Sequence, residues 1–191
     1  MRVIAGEFRS RRLISVEGLE TRPTPDRLRE SLFNVLGASV EGCVFLDAYA
    51  GTGAVGIEAL SRGARRAIFL EKSRKAVETI RKNLESLKIA ARAHIIQGSA
   101  PLHIGEWNAD IVFVDPPYEK HREYQACLDV LESKPPALAV FQHSARLALP
   151  ELAGPMRIVR RVKHGDNALS FYKPAASEHG PEIRISSESG S

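Results

Sequence analysis

A short apolar run closed by two prolines constrains this chain more than any other feature. Ile111-Val112-Phe113-Val114 is apolar at four consecutive positions, so a strand here buries both faces, as strands do in a parallel sheet covered by helices. Pro116 and Pro117 must end it, because neither has an N–H for a ladder and each fixes its own φ. The strand therefore delivers Asp115, a stiff turn and Tyr118 to its carboxyl end, where open α/β sheets bind ligands. Asp115 can accept a hydrogen bond from an amino group, and the carbonyls of the proline turn, Pro116 included, are expected to be free acceptors beside it. The Tyr118 ring offers a face for base stacking, worth roughly 1–3 kcal/mol. A plain strand-ending turn would use the same four residues, so the reading depends on the rest of the chain.

From Cys43 onward, strand and helix patterns alternate, the mark of a parallel sheet. Strands are expected at Cys43–Asp47, Ala67–Glu71, Ala93–Gln97, the run into Asp115, and Ala137–Phe141. Helices are expected from Gly56 to near Gly63, after Ser73 with Ala76, Val77, Ile80, Leu84 and Leu87 on one face, and around Tyr124, Cys127, Leu128 and Leu131. Met156–Lys163 and Ala168–Tyr172 form a hairpin turned at Gly165-Asp166-Asn167. Ahead of this lies a hairpin over Arg2–Val16, turned near Arg9-Ser10. A helix follows, capped by Thr24, with Pro25 in its first position and Leu28, Leu32 and Leu36 on its apolar face. Residues 1–40 therefore read as an N-terminal extension packed on the catalytic domain, 41–173 as that α/β domain, and 174–191 as a disordered Ser-, Gly- and Glu-rich tail.

Gly51-x-Gly53-x-x-Gly56 follows a strand and opens a helix, the context in which this spacing binds a nucleotide cofactor. Glu71 ends the next strand, about where an acid would hold ribose hydroxyls. By themselves these fit NAD as well as S-adenosylmethionine. Asp47, ahead of the glycines, would repel a pyrophosphate but attract a cationic amino-acid moiety. The Asp-Pro-Pro-Tyr turn has no part in hydride transfer.

The formal net charge is +4; the segment from Pro174 carries −2, which leaves +6 on the body. Arg9, Arg11 and Arg12 form one basic cluster, and Arg157, Arg160, Arg161 and Lys163 another, as a polyanionic partner would require. Solvated charged faces would look the same. Cys43 and Cys127 sit in apolar patterns and read as reduced core residues of a cytoplasmic protein. Met1–Leu13 carries four arginines and no apolar stretch, unlike a signal peptide, and no run is long enough to cross a membrane. His94, His103, His121, His164 and His179 show no ligand spacing, so no metal is expected; His143 reads as a strand-end packing residue.

Taken together, Asp47-Ala48-Tyr49-Ala50-Gly51-Thr52-Gly53, Glu71 and Asp115-Pro116-Pro117-Tyr118 resemble a class I, S-adenosylmethionine-dependent methyltransferase. More closely, the chain is similar to the RsmD-like family, through Arg2-Val3-Ile4-Ala5-Gly6, Thr21-Arg22-Pro23-Thr24-Pro25-Asp26-Arg27, Arg29-Glu30-Ser31-Leu32-Phe33-Asn34, Glu58-Ala59-Leu60-Ser61-Arg62-Gly63-Ala64, His143-Ser144 and Gly165 to Tyr172. The resemblance implies a Rossmann-like, mostly parallel seven-stranded sheet with helices on both faces. It implies methyl transfer from S-adenosylmethionine, leaving S-adenosylhomocysteine, to N2 of a guanine in 16S rRNA, the one numbered 966. The substrate would be the RNA or an assembling small ribosomal subunit, and the enzyme a monomer. Asp47, Ala50, Gly51, Gly53, Glu71, Ser99 and Asp115 would bind the cofactor, and Asp115, Pro116 and Tyr118 would hold the guanine. Arg9, Arg11, Arg12, Arg22, Thr24 and Arg29 would meet RNA. Two departures stand out: Ser99 replaces the family's frequent Asp at the adenine amino group, and Gln142 replaces a frequent acid.

Other readings are an adenine-N6 methyltransferase, a protein-glutamine methyltransferase (which usually has Asn at the position of Asp115), an RNA-binding module without catalysis and an NAD-dependent oxidoreductase.

Overall fold

The structure, a computed structural model, describes residues 1–15 and 26–175. In chain order the elements are α1 (Asp26–Leu36), β1 (Val44–Asp47), α2 (Ala54–Ser61), β2 (Arg66–Glu71), α3 (Arg74–Ser86), β3 (Ala93–Gln97), α4 (Ala100–His103), β4 (Ile111–Val114), α5 (His121–Ser133), β5 (Leu138–Ser144), β6 (Leu152–Ala153), β7 (Met156–His164) and β8 (Asn167–Pro174). One sheet holds all the strands in the order β3-β2-β1-β4-β5-β8-β7-β6. The first five are parallel, and β8, β7 and β6 continue antiparallel. The sheet has eight strands rather than seven because the two-residue β6 pairs with the start of β7. A two-residue strand has no periodicity to read. The hairpin of β7 and β8 turns at Gly165-Asp166 as expected, and β5 runs on to Ser144.

Alternate residues divide the core in two. Phe45, Phe69, Ile111, Phe113, Leu138 and Val140 meet α1, α2 and α3 on one face, through Leu32, Leu36, Ile57, Leu60, Ile80 and Leu84. Leu46, Ile68, Leu70, Val112, Val114, Ala139 and Phe141 meet α4 and α5 on the other, through Ala100, Tyr124, Cys127, Leu128 and Leu131. Helices thus cover both faces, which is why the central strands are apolar throughout.

The N-terminal segment is less of a hairpin than its sequence suggests. Arg2 and Arg12 form a single isolated antiparallel bridge. Between them the chain departs from a ladder because stronger partners are near. The N–H groups of Ile4 and Ala5 donate to the Glu58 carboxylate at 2.8 and 3.0 Å, and those of Glu7 and Phe8 to the Ser61 carbonyl and hydroxyl. Val3 and Leu13 join the same core as α1 and the sheet. Arg22, Thr24 and the expected cap of α1 lie outside the described residues, as does the expected tail from residue 176; Lys173 and Pro174 still belong to β8. No helix of the described residues is long and apolar enough to cross a membrane.

Candidate active site

The strand order reverses between β1 and β4, since β1 continues towards β2 and β3 while β4 continues towards β5. A crevice opens outside the carboxyl ends of the strands at such a point. Asp47, the last residue of β1, pairs with Phe69 on one side and Phe113 on the other. Glu71, the last residue of β2, and Asp115, the first residue past β4, therefore each come two positions after the partner of Asp47 on the flanking chains. The alternation that sends Phe69 and Phe113 to one face sends Glu71 and Asp115 to that same face. With neighbouring strands about 4.8 Å apart, the two acids straddle β1 with roughly 10 Å between backbones.

The glycine loop is built by backbone conformations that side chains resist. Gly51 and Gly53 have φ of 55° and 80°, and Gly53 forms the left-handed entry to α2. The Gly53 N–H closes the turn on the Ala50 carbonyl at 2.7 Å, while the Ala50 N–H reaches the Leu70 carbonyl. Gly56 serves packing instead: a Cβ there would sit 2.3 Å from the Phe69 ring, so its absence lets α2 lie directly on β2.

Glu71 is half-buried, and its two oxygens accept the Gly51 N–H at 2.8 Å and the Ser73 N–H at 2.7 Å. It fastens the glycine loop to the start of α3, and each oxygen keeps a lone pair for hydroxyl donors. Asp47 is only 1% exposed and accepts the Gly56 N–H at 3.0 Å. It braces the loop from below, a role the sequence reading does not anticipate. Burial pushes its pKa up to about 7, with Glu71 adding to the rise and the backbone donors of Gly56 and Tyr49 opposing it. Asn83, fully buried, completes the brace. Its amide donates to the carbonyls of Thr52 and Ile14 and accepts from the Ile14 N–H. The sequence reading does not pick out Asn83, although a polar residue on the apolar stripe of α3 is its visible signal.

At the proline turn, Asp115 and Tyr118 are half-buried and Pro116 is buried. The Tyr118 hydroxyl donates to the Asn167 side chain, which ties the aromatic ring to the start of β8. Contrary to expectation, the turn carbonyls are not all free. Pro116 accepts from the Tyr124 hydroxyl at 3.3 Å, and Pro117 from the Lys120 N–H at 2.9 Å. The bond to Pro116 is long and uses one lone pair, so this carbonyl can still take a second donor. His143 is buried, with Nδ1 2.8 Å from the Ser144 carbonyl and Nε2 2.8 Å from the Ser170 hydroxyl. A carbonyl only accepts, so Nδ1 carries the proton and Nε2 accepts from Ser170 in the neutral ring; burial lowers its pKa and favours that form. His143 is a packing group, as expected.

Ser99 opens α4, is half-buried and makes no capping hydrogen bond with its side chain. Cys43 and Cys127 are free and buried, and burial pushes both thiols up to about 12. Among the described residues, no group of three or more His, Cys, Asp or Glu side chains is placed to hold a metal ion.

The basic residues separate. Arg9, Arg11 and Arg12 are exposed, and Arg11 donates to the Ser86 carbonyl at 3.2 Å. Arg9 follows Phe8, which is fixed to Ser61 at the end of α2 away from the glycine loop. Arg29 is a correction: it is 0% exposed, holds the Arg2 carbonyl at 2.7 Å and Asp26 at 3.0 Å, and lies 4.0 Å from Glu58. It cannot meet RNA, because its helical position faces the N-terminal segment. Burial lowers its pKa, against Asp26 and Glu58, which raise it.

Comparison with known proteins gives a consistent picture. A family described as "Conserved hypothetical protein 95" matches residues 1–173. "Putative rRNA methyltransferase YlbH" of Bacillus subtilis is 35% identical over 182 residues, covering 91% of this chain and 98% of that protein. "Ribosomal RNA small subunit methyltransferase D" of Haemophilus influenzae is 38% identical over 148 residues, covering 72% and 76%. The solved structure of "Putative methyltransferase yhhF" from Escherichia coli superposes with a TM-score of 0.80 at 33% identity, over 93% of this chain and 99% of that one. With its class I methyltransferase fold, its glycine loop and its proline turn, the chain belongs to this family, that of the RsmD-like rRNA methyltransferases.

Proposed function

We propose that this enzyme transfers a methyl group from S-adenosyl-L-methionine to the N2 amino group of a guanine in 16S rRNA, the one numbered 966. The observation that carries the proposal is that Glu71 at the end of β2 and Asp115 just past the end of β4 flank the carboxyl end of β1, where the strand order reverses.

The residues present fit such a cofactor. Glu71 keeps lone pairs for ribose hydroxyls, Gly51 and Gly53 bring backbone rather than side chain to the crevice, and a Cβ at Gly51 would meet nothing within 4 Å. The uncapped hydroxyl of Ser99 is the candidate contact for the adenine amino group. When bound, S-adenosylmethionine supplies an electrophilic methyl on a sulfonium. A guanine amine is a weak nucleophile, so the protein's task is alignment, which can lower a barrier by roughly 7–11 kcal/mol. Asp115 accepts one amino hydrogen, fixes the nitrogen and offsets the positive charge that grows on it. The second lone pair of the Pro116 carbonyl can take the other hydrogen. Tyr118, its hydroxyl anchored on Asn167, presents a ring against which an unstacked base can lie.

RNA would approach across the exposed Arg9, Arg11 and Arg12, either as free rRNA or within an assembling subunit in the cytoplasm, and the enzyme would act as a monomer. Calorimetric titration with S-adenosylmethionine tests the cofactor reading: saturable one-to-one binding is expected, and binding of NAD instead would overturn it. Asp115→Ala should still bind the cofactor saturably and lower transfer by about a hundred- to a thousandfold, in line with the loss of one charge-stabilising group. Retained turnover would remove the role assigned to Asp115.

A further inference from the structure

Gln142 is 3% exposed, and its Oε1 is buried without a hydrogen-bond partner. A buried acceptor left unsatisfied is costly, and native proteins seldom keep one without a use. Its position suggests the use. Val114, the last residue of β4, pairs with Phe141 of β5, so the next residues are Asp115, just past the end of β4, and Gln142, still in β5, side by side. Phe113 and Val140 point to the same face of the sheet, and the alternation puts Asp115 and Gln142 on that face too. On its other side Gln142 pairs with Leu169, which has no polar side-chain atom to offer. His143 leaves the opposite face and is already bonded to Ser144 and Ser170.

Two side-chain acceptors standing side by side, one of them orphaned, call for a ligand edge with two adjacent donors. The Watson–Crick edge of guanine has that pattern, with N1–H beside the 2-amino group. The edge of adenine does not, since its N1 is an acceptor next to the amino group. We propose that Gln142 is the residue that selects guanine: its Oε1 accepts N1–H while Asp115 holds the 2-amino group. The inference rests on the guanine-N2 reading and adds to it the contact that tells guanine from adenine.

The test replaces the target guanine by 2-aminopurine, which keeps the 2-amino group but lacks N1–H. Small-subunit rRNA ligated from two pieces carries either base, and kcat/KM is compared for wild type, Gln142→Met and Gln142→Glu. Wild type should prefer guanine by roughly ten- to a hundredfold, the scale expected when a buried partner is removed. Gln142→Met, similar in length but without an acceptor, should fall on guanine to near the 2-aminopurine rate and stop discriminating. Gln142→Glu keeps an acceptor and should keep the preference. S-adenosylmethionine binding, measured by calorimetry, should be the same in all three. The inference is overturned if Gln142→Met discriminates as wild type does, or if Gln142→Glu loses the preference as Met does. A wild type that binds the cofactor but methylates neither base at N2 would instead overturn the guanine-N2 reading, and this inference with it.

Discussion

Asp47, Glu71 and Asp115 are three carboxylates at the ends of three neighbouring strands, and burial gives them different work. Glu71 and Asp115 are half-buried and can face a ligand, whereas Asp47 is sealed under the glycine loop. The pKa of Asp47, about 7, lies far above the ordinary carboxylate value of 3.8. The folded state therefore binds this proton more tightly than the unfolded chain does. Its contribution to stability is full below about pH 4 and is lost as pH rises through about 7. Asp47→Asn keeps an oxygen for the Gly56 N–H and removes the titration. Urea unfolding should show the variant gaining on wild type from about pH 4 to pH 8, by up to about 4 kcal/mol in all. A difference independent of pH would show that Asp47 is ionised without penalty. At this scale the sequence shows which acids end the strands, because strand patterns and turn residues mark those positions. It does not show how deeply each is buried, since that depends on the helix laid over it; the sealing of Asp47 under the glycine loop is therefore not legible.

The elements explain why the N-terminal segment is fixed rather than a loose arm. α2 is buried at every position, yet it carries Glu58 in its middle. That carboxylate receives two backbone N–H groups of the segment, the Arg62 side chain at 2.8 Å and the nearby Arg29. Glu58→Gln turns one acceptor into a donor and leaves Arg29 buried with Asp26 as its one ion-pair partner. Breaking a buried pair this way costs about 3–5 kcal/mol, so the urea midpoint should fall clearly. An unchanged midpoint would mean that the segment contributes little to the fold. The helix periods and the parallel strands are legible because burial writes itself into spacing. The hairpin expected over Arg2–Val16 is less complete than its pattern suggests, because residue pattern alone does not reveal that Glu58 and Ser61 compete for the same backbone donors. A lone acid inside the apolar run Ala54–Leu60 is the available clue.

Across the whole molecule, the crevice and the basic N-terminal segment share one body, since Val3 and Leu13 pack in the same core as the sheet. An RNA held by the segment is thereby held in a fixed relation to the proline turn. Substituting Arg11 and Arg12 together by Ala should weaken RNA binding and flatten its salt dependence by roughly 0.7–0.9 in slope for each phosphate no longer neutralised, with cofactor binding unaffected. An unaltered slope would move the RNA path elsewhere. The fold, the cofactor loop and the family resemblance are all readable from the chain. The burial of Arg29 is not, because it depends on Arg2 and Glu58, distant in sequence, and the eighth strand is not, because two residues carry no periodicity. The central claim is that one crevice brings a sulfonium methyl to a guanine amine. Incubating small-subunit rRNA and assembled subunits with S-adenosylmethionine, then mapping the modified nucleotide, tests this most directly. A single N2-methylguanine, formed far more slowly with Asp115→Ala, is the predicted result; methyl on an adenine N6, or on no nucleotide, would contradict it.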